Sequence, residues 1–103
     1  MIVGKIDVLD LDISIAKYIY KGINGYILKN EVIAFPTAPD YTFFENLNEN
    51  ATLEERVKEW HLTLHEIAEK FKTIANNRYN GVSDEEIIDA FDSLKRVFRY
   101  LWI

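Results

Sequence analysis

The chain has two histidines, His61 and His65, and their spacing in the stretch EWHLTLHE could serve metal chemistry. Residues four apart on a helix project within about 40° of each other, so both imidazoles could bind one metal ion. Glu69 lies one turn further along and is the candidate third ligand, since a zinc site takes three or four protein ligands. The spacing therefore supports one hypothesis of a metal-binding protein or metal-dependent enzyme that uses His61, His65 and Glu69.

The residues around the histidines do not follow the known metal-binding helix motifs. A zinc-protease helix carries glutamate directly after its first histidine, where this chain has Leu62. A di-iron bundle has glutamate three residues before histidine, where this chain has Lys58 and Leu62. The chain also has no cysteine, no G-x-S-x-G motif and no glycine-rich phosphate loop. We therefore expect a non-enzymatic protein without a cofactor, and the metal site is the alternative.

Composition and charge narrow the class of protein further. The 103 residues carry 12 basic and 17 acidic side chains, hence a net charge of −5. Nucleic-acid binders usually have a positive excess, because they neutralise phosphates, so that class is disfavoured. The segment that could still bind nucleic acid, as a second alternative function, is the basic, aromatic C-terminus with Lys95, Arg96 and Arg99. The sequence shows neither a membrane-length apolar run nor a signal peptide, so we expect a cytoplasmic protein that does not contact membranes.

The C-terminal half predicts an antiparallel helical hairpin. Thr52–Glu55 and Ser83–Glu86 are capping boxes, which mark the starts of two helices. After each box, apolar residues recur at alternating steps of four and three, as on the packed face of a helix. The first seam is Leu53, Val57, Trp60, Leu64, Ile67, Phe71 and Ile74. The second seam is Ile87, Phe91, Leu94, Phe98 and Leu101. We expect the first helix over residues 53–76 and a turn at Asn80-Gly81.

The N-terminal half predicts a small antiparallel sheet. Residues 9–15 alternate between apolar and polar types, as a half-buried strand does. Asn24-Gly25 between apolar residues indicates a hairpin, and residues 26–35 read as a second one. For residues 13–21 two readings stay open, a strand or a short helix that ends at Gly22. The whole prediction is an α+β fold in which the sheet packs against the helical hairpin. It forms a single domain, 1–103, with a β-rich region at 1–35, a connector at 36–51 and the hairpin at 52–103.

Apolar residues outside the two seams predict an interaction surface. They extend the apolar stripe around the helices and add an aromatic pair in the connector. The predicted surface residues are Leu62, Ile88, Tyr100, Trp102, Phe43 and Phe44. Either the sheet covers this surface or a second copy does. We expect a homodimer, and two hairpins that pair into a four-helix bundle are one way to form it. We expect a module that binds another, unidentified protein. By class-level analogy it resembles small acidic phage or mobile-element inhibitors of host machinery.

Overall fold

The computed structural model describes residues 2–3, 6–7, 9–77 and 81–102, and helices dominate this part of the chain. The described helices are α1 (Leu11–Val32), α2 (Leu53–Asn77) and α3 (Asp84–Val97), with 3₁₀ turns at Tyr41–Phe43 and Phe98–Tyr100. Two-residue strands β1 (Ile2–Val3) and β2 (Ile6–Asp7) pair antiparallel, with Ile2 opposite Asp7 and Val3 opposite Ile6.

The predicted α+β fold is therefore wrong, and the chain is a helical protein. Residues 11–32 form one continuous helix where the sequence pattern predicted strands and hairpins. Of the two readings left open for residues 13–21, the helix is the observed one. Gly22 does not end that helix, however, and the predicted hairpins at Asn24-Gly25 and at 26–35 do not form. The expected sheet, which was to cover the helical hairpin, is replaced by α1.

Helix α1 forms because its sequence carries a heptad seam that the strand-like alternation obscured. The seam runs in steps of three and four through Ile13, Ala16, Tyr20, Ile23, Ile27 and Asn30. Ala16, Ile23 and Asn30 are buried. A glycine inside a helix costs about 1 kcal/mol, whereas burying an isoleucine side chain contributes about 1.5–3 kcal/mol. Packing of this face therefore outweighs the turn signal of the two internal glycines.

Helix α2 begins and packs as predicted. The Thr52 hydroxyl accepts a hydrogen bond from the Glu55 amide at 3.1 Å, and the Glu55 carboxylate accepts from the Thr52 amide at 3.1 Å. The Thr52 amide and, second, the Thr52 hydroxyl at 3.0 Å donate to the Glu55 carboxylate, and these two bonds lower the pKa of Glu55. Trp60, Leu64 and Phe71 of the predicted seam are completely buried. The observed end at Asn77 lies one residue past the predicted one.

Helix α3 begins at the predicted Ser83–Glu86 capping box but presents a different face to the core. Its buried residues are Ala90 and Val97, whereas Phe91 and Phe98 of the predicted seam are 45% and 70% exposed. Because Ala90 and Val97 occupy the buried face of α3, the Phe91 and Phe98 rings lie beside that face. Gly81 has a positive φ of 88°, as a turn requires, while its predicted turn partner Asn80 lies outside the described residues.

Helices α1 and α3 both run antiparallel to α2. At one end of α2, Trp60 contacts Tyr26 of α1 and Tyr100, which follows α3. At the other end, the Phe71 ring meets the Phe91 ring of α3 edge-on at 5.0 Å, and Ala16 of α1 borders the same cavity as these rings. Helices α1 and α3 therefore run in the same direction, side by side on α2. That placement leaves a groove between them.

Candidate protein-binding groove

The groove between α1 and α3 contains two open apolar cavities of about 260 Å³ and about 290 Å³. Phe71 and Ile74 of α2 line the first cavity. The α1 wall is Ile15, Ala16, Tyr18, Ile19, Gly22 and Ile23. The α3 wall is Ile87, Phe91, Leu94 and Phe98. Asp12 is the charged residue among the lining residues of these two cavities. The groove is thus apolar along its length.

The α1 wall was not predicted from the sequence, because residues 13–21 were left open between a strand and a short helix and residues 24–35 were predicted as hairpins. Its signal was nonetheless present, since Leu11, Ile15, Tyr18 and Gly22 are spaced by four, three and four residues. This row lies beside the buried seam of α1, so α1 is apolar on two faces. A helix with two apolar faces has more than one neighbour to cover. Within the described residues, Tyr18 remains 77% exposed on this wall.

The α3 wall, by contrast, is the seam that the sequence predicted. Ile87, Phe91, Leu94 and Phe98 line the groove, and of these Leu94 also packs against the core while Phe91 contacts the buried Phe71 ring. Of the two phenylalanine rings on this wall, Phe98 is more exposed than Phe91. Ile88, the residue after Ile87, is 59% exposed. The heptad pattern of α3 therefore describes a surface that remains open to a partner.

The structure divides the six predicted interaction residues into two groups. Leu62, Ile88 and Trp102 are exposed, although Leu62 lies away from the groove, beside His61 and His65. Phe43, Phe44 and Tyr100 instead pack against the core. Only Ile88 of the three exposed residues lies on a helix that forms a groove wall.

An aromatic cluster around Trp60 holds the connector and the C-terminal turn against α2. Phe43 meets the rings of Trp60 and Tyr100 edge-on at 5.5 and 5.3 Å. The Trp60 indole N–H donates to the Tyr26 hydroxyl at 3.2 Å, and that hydroxyl donates to the Trp102 carbonyl at 3.2 Å. Such edge-to-face pairs contribute about 0.5–1.5 kcal/mol each beyond their burial. This cluster fixes the end of α3 that forms the second half of the groove.

A buried polar cluster links α1, the connector and α2. The Asn30 side chain is completely buried; its oxygen accepts from the Thr37 amide at 2.8 Å, and its nitrogen donates to the Thr37 carbonyl at 2.9 Å. The same nitrogen donates to His61 Nε2 at 2.8 Å. An amide nitrogen cannot accept, so Nε2 of His61 is the unprotonated ring nitrogen. Asn30 was not found by sequence reasoning, because the predicted hairpin at 26–35 placed it in the turn, where an asparagine is common.

The histidines do not gather the ligands that a metal site needs. His61 and His65 border one cavity of about 320 Å³ together with Glu31, whereas Glu69 does not line it. His61 Nδ1 lies 3.9 Å from the Glu31 carboxylate. Burial lowers the pKa of His61, an effect that the Glu31 charge partly opposes. Among the described residues, no group of three or more histidine, aspartate or glutamate side chains could hold a metal ion.

The three basic residues of the C-terminal end are not equivalent. The Arg96 guanidinium donates to the Phe43 carbonyl at 2.8 Å and lies 4.3 Å from the centre of the Phe43 ring. All three residues are exposed, and Arg96 differs from Lys95 and Arg99 by these contacts with Phe43. Arg96 therefore anchors the connector to α3, although it lies on the open surface with the other two predicted nucleic-acid contacts.

Comparison with known proteins places no further constraint on this arrangement. The chain matches no protein-family model, and neither the curated proteins nor the solved structures contain a significant match to it. In the described part of the chain, the helices lack the combination of length and apolarity that crossing a membrane requires.

Proposed function

We propose that this chain is a non-enzymatic interaction module that binds an amphipathic helix in the groove between α1 and α3. The observation that carries the proposal is the pair of parallel apolar walls with α2 between them, each bearing an exposed aromatic ring, Tyr18 on α1 and Phe98 on α3. Grooves of this kind receive the apolar face of a helix, read at spacings of three, four and seven residues. Binding there would complete a four-helix arrangement.

The groove is favoured over the histidine pair as the functional site. His61 Nε2 already accepts a hydrogen bond from Asn30, so only its other ring nitrogen is available to a ligand. Within the described part of the chain, in contrast, Tyr18 and Phe98 on the groove walls are 77% and 70% exposed, and contiguous exposed apolar surface marks interaction sites. These two facts support a binding role and a polypeptide ligand.

The proposal is tested with a displayed library of amphipathic helical peptides, selected on the immobilised full-length protein. A selected peptide is then labelled, and its affinity for the protein is measured by fluorescence anisotropy. We expect Phe98→Ala to weaken binding by about tenfold or more, as loss of a central interface aromatic does. The matched control is Phe35→Ala, which removes a ring outside the groove that is 86% exposed, against 70% for Phe98, and should leave the affinity unchanged. Equal effects of the two substitutions, or no selected binder, would contradict the proposal.

A further inference from the structure

The surface of α3 has a segregated charge pattern that bears on what occupies the groove. Its first turn is acidic, with Asp84, Glu85 and Glu86, and its end carries Lys95, Arg96 and, in the following turn, Arg99. Between these ends lie the exposed apolar residues Ile88 and Phe91 and the exposed carboxylates Asp89 and Asp92, so acidic residues extend to the middle of the helix. The helix dipole favours this order within one chain. The same order makes two α3 helices complementary when they lie antiparallel and repulsive when they lie parallel.

We infer that helix α3 of a second copy occupies the groove, so that the protein forms a two-fold dimer. Such a dimer rests on the proposed function, because it requires the groove to bind a helix. In a two-fold interface the same patch serves both copies, so each α3 lies against the α1–α3 groove of the other. An antiparallel pair centred between Phe91 and Asp92 places Asp84 opposite the partner's Arg99, because both residues are equally far from that centre. This register also brings Phe98 to the partner's cavity beside Ile87.

The exposed aromatic rings of the groove walls supply part of the surface that a dimer interface needs. Tyr18, Phe91 and Phe98 are 77%, 45% and 70% exposed. At roughly 200 Å² for each aromatic side chain, these three rings expose about 400 Å². That is about half of the ~800 Å² that each partner contributes to a standard interface. Ile15 on the α1 wall and Ile88, which lies elsewhere on α3, add further exposed apolar area.

Sedimentation equilibrium of the full-length protein at about 100 µM tests the dimer, because self-association depends on protomer concentration. The wild type should sediment as a dimer. Phe98→Asp should raise the dissociation constant by about thirtyfold or more, the loss typical of an interface hot spot. Phe35→Asp adds the same charge at an exposed ring outside the groove and should leave the dimer intact. Ile88→Asp repeats the test at a second exposed position, in case Phe98→Asp fails to fold.

A charge reversal tests the antiparallel register. Arg99→Glu places like charges opposite each other at both ends of the helix pair, and should raise the dissociation constant about tenfold. Combining it with Asp84→Arg restores opposite charges and should recover most of the affinity. Thermal melts of each variant, followed by circular dichroism, show whether the fold is retained.

Each outcome decides the inference. A wild type that stays monomeric, a dimer insensitive to both Phe98→Asp and Ile88→Asp, or equal disruption by Phe35→Asp would overturn it. A dimer that Arg99→Glu does not weaken, or that the double reversal does not recover, would also overturn the antiparallel pairing. The anisotropy assay separates this failure from that of the proposed function. A monomer that still binds helical peptides through Phe98 loses only the self-pairing, whereas loss of peptide binding as well removes the groove as a site.

Discussion

At the scale of single residues, Asn30, Thr37 and His61 form a hydrogen-bonded cluster around a buried amide side chain. Asn30 is fully buried and uses both ends of its amide, which fixes its orientation. That orientation in turn requires His61 to accept through Nε2. A buried polar group left without its partner costs about 1–3 kcal/mol, so each member of the cluster depends on the others.

The first prediction concerns Asn30→Ala. The substitution leaves the Thr37 amide and carbonyl without their partner and opens a small void beside α2. We expect the free energy of unfolding to fall by about 2–4 kcal/mol, measured by urea denaturation. Asn24→Ala on the same helix is the control, and we expect it to change stability by less than about 0.5 kcal/mol. Similar losses for the two substitutions would contradict the role of the cluster.

The second prediction is a dependence of stability on pH that originates at His61. Burial lowers the pKa of His61 in the folded state, so the unfolded chain binds its proton more readily. The contribution of His61 to stability is therefore complete above the unfolded pKa of about 6.5 and is lost as pH falls toward the lowered folded pKa. Protonation also turns Nε2 into a donor that faces the donating Asn30 nitrogen. Urea denaturation at a series of pH values measures the effect.

The two histidines give this experiment its internal comparison. His61→Gln retains an acceptor for Asn30 but has no proton to gain, so its stability should vary less below about pH 6.5 than that of the wild type. His65 is exposed, and His65→Gln should keep the wild-type pH profile. If His65→Gln flattens the pH profile and His61→Gln does not, the pH dependence does not originate at His61 and the prediction is contradicted.

At the scale of elements, the sequence predicted the helices that carry explicit start signals and missed the one that lacks them. Capping boxes and regular seams identified α2 and α3. For α1, the internal glycines and the alternating pattern at residues 9–15 are typical of strands and turns. The helix forms because its apolar face packs on α2. The rotation of α3 was equally hidden, because Ala90 and Val97 carry less apolar weight than Phe91 and Phe98. The sequence therefore identified the residues of the α3 wall but predicted that they pack in the core, and it did not identify the α1 wall.

The third prediction follows from the glycines of α1. A Cβ atom added at Gly22 or Gly25 would meet no atom within 4 Å. Replacing either glycine with alanine should therefore raise the free energy of unfolding by about 0.5–1 kcal/mol, through the reduced entropy of the unfolded chain. Gly81→Ala is the contrasting variant, since its φ of +88° disfavours a side chain, and it should destabilise by about 1–2 kcal/mol. Chemical denaturation compares all three, and a loss of stability at Gly25→Ala would contradict the account of α1.

At the scale of the whole molecule, the described helices resemble a bundle with one position unfilled. The radius of gyration is 15.4 Å, whereas a compact domain of about 100 residues has about 13 Å. The shortest extent is only 18 Å. A thin layer of helices with apolar residues on its open side has room for another helix without rearrangement of its core. This shape, together with the apolar walls, favours a partner helix over a small-molecule ligand.

The fourth prediction concerns nucleic acid and depends on the charge of the whole molecule. With a net charge of −5, and with Arg96 bound to Phe43, we expect no binding to labelled duplex DNA or RNA tighter than about 10⁻⁴ M at about 50 mM salt. Anisotropy at low and moderate salt measures this directly. If binding is found, the variant Lys95→Ala with Arg99→Ala decides its origin. A salt-dependent affinity that this double variant reduces would replace the helix-binding groove with the basic end of α3 as the main contact, because phosphate contacts dominate such affinities.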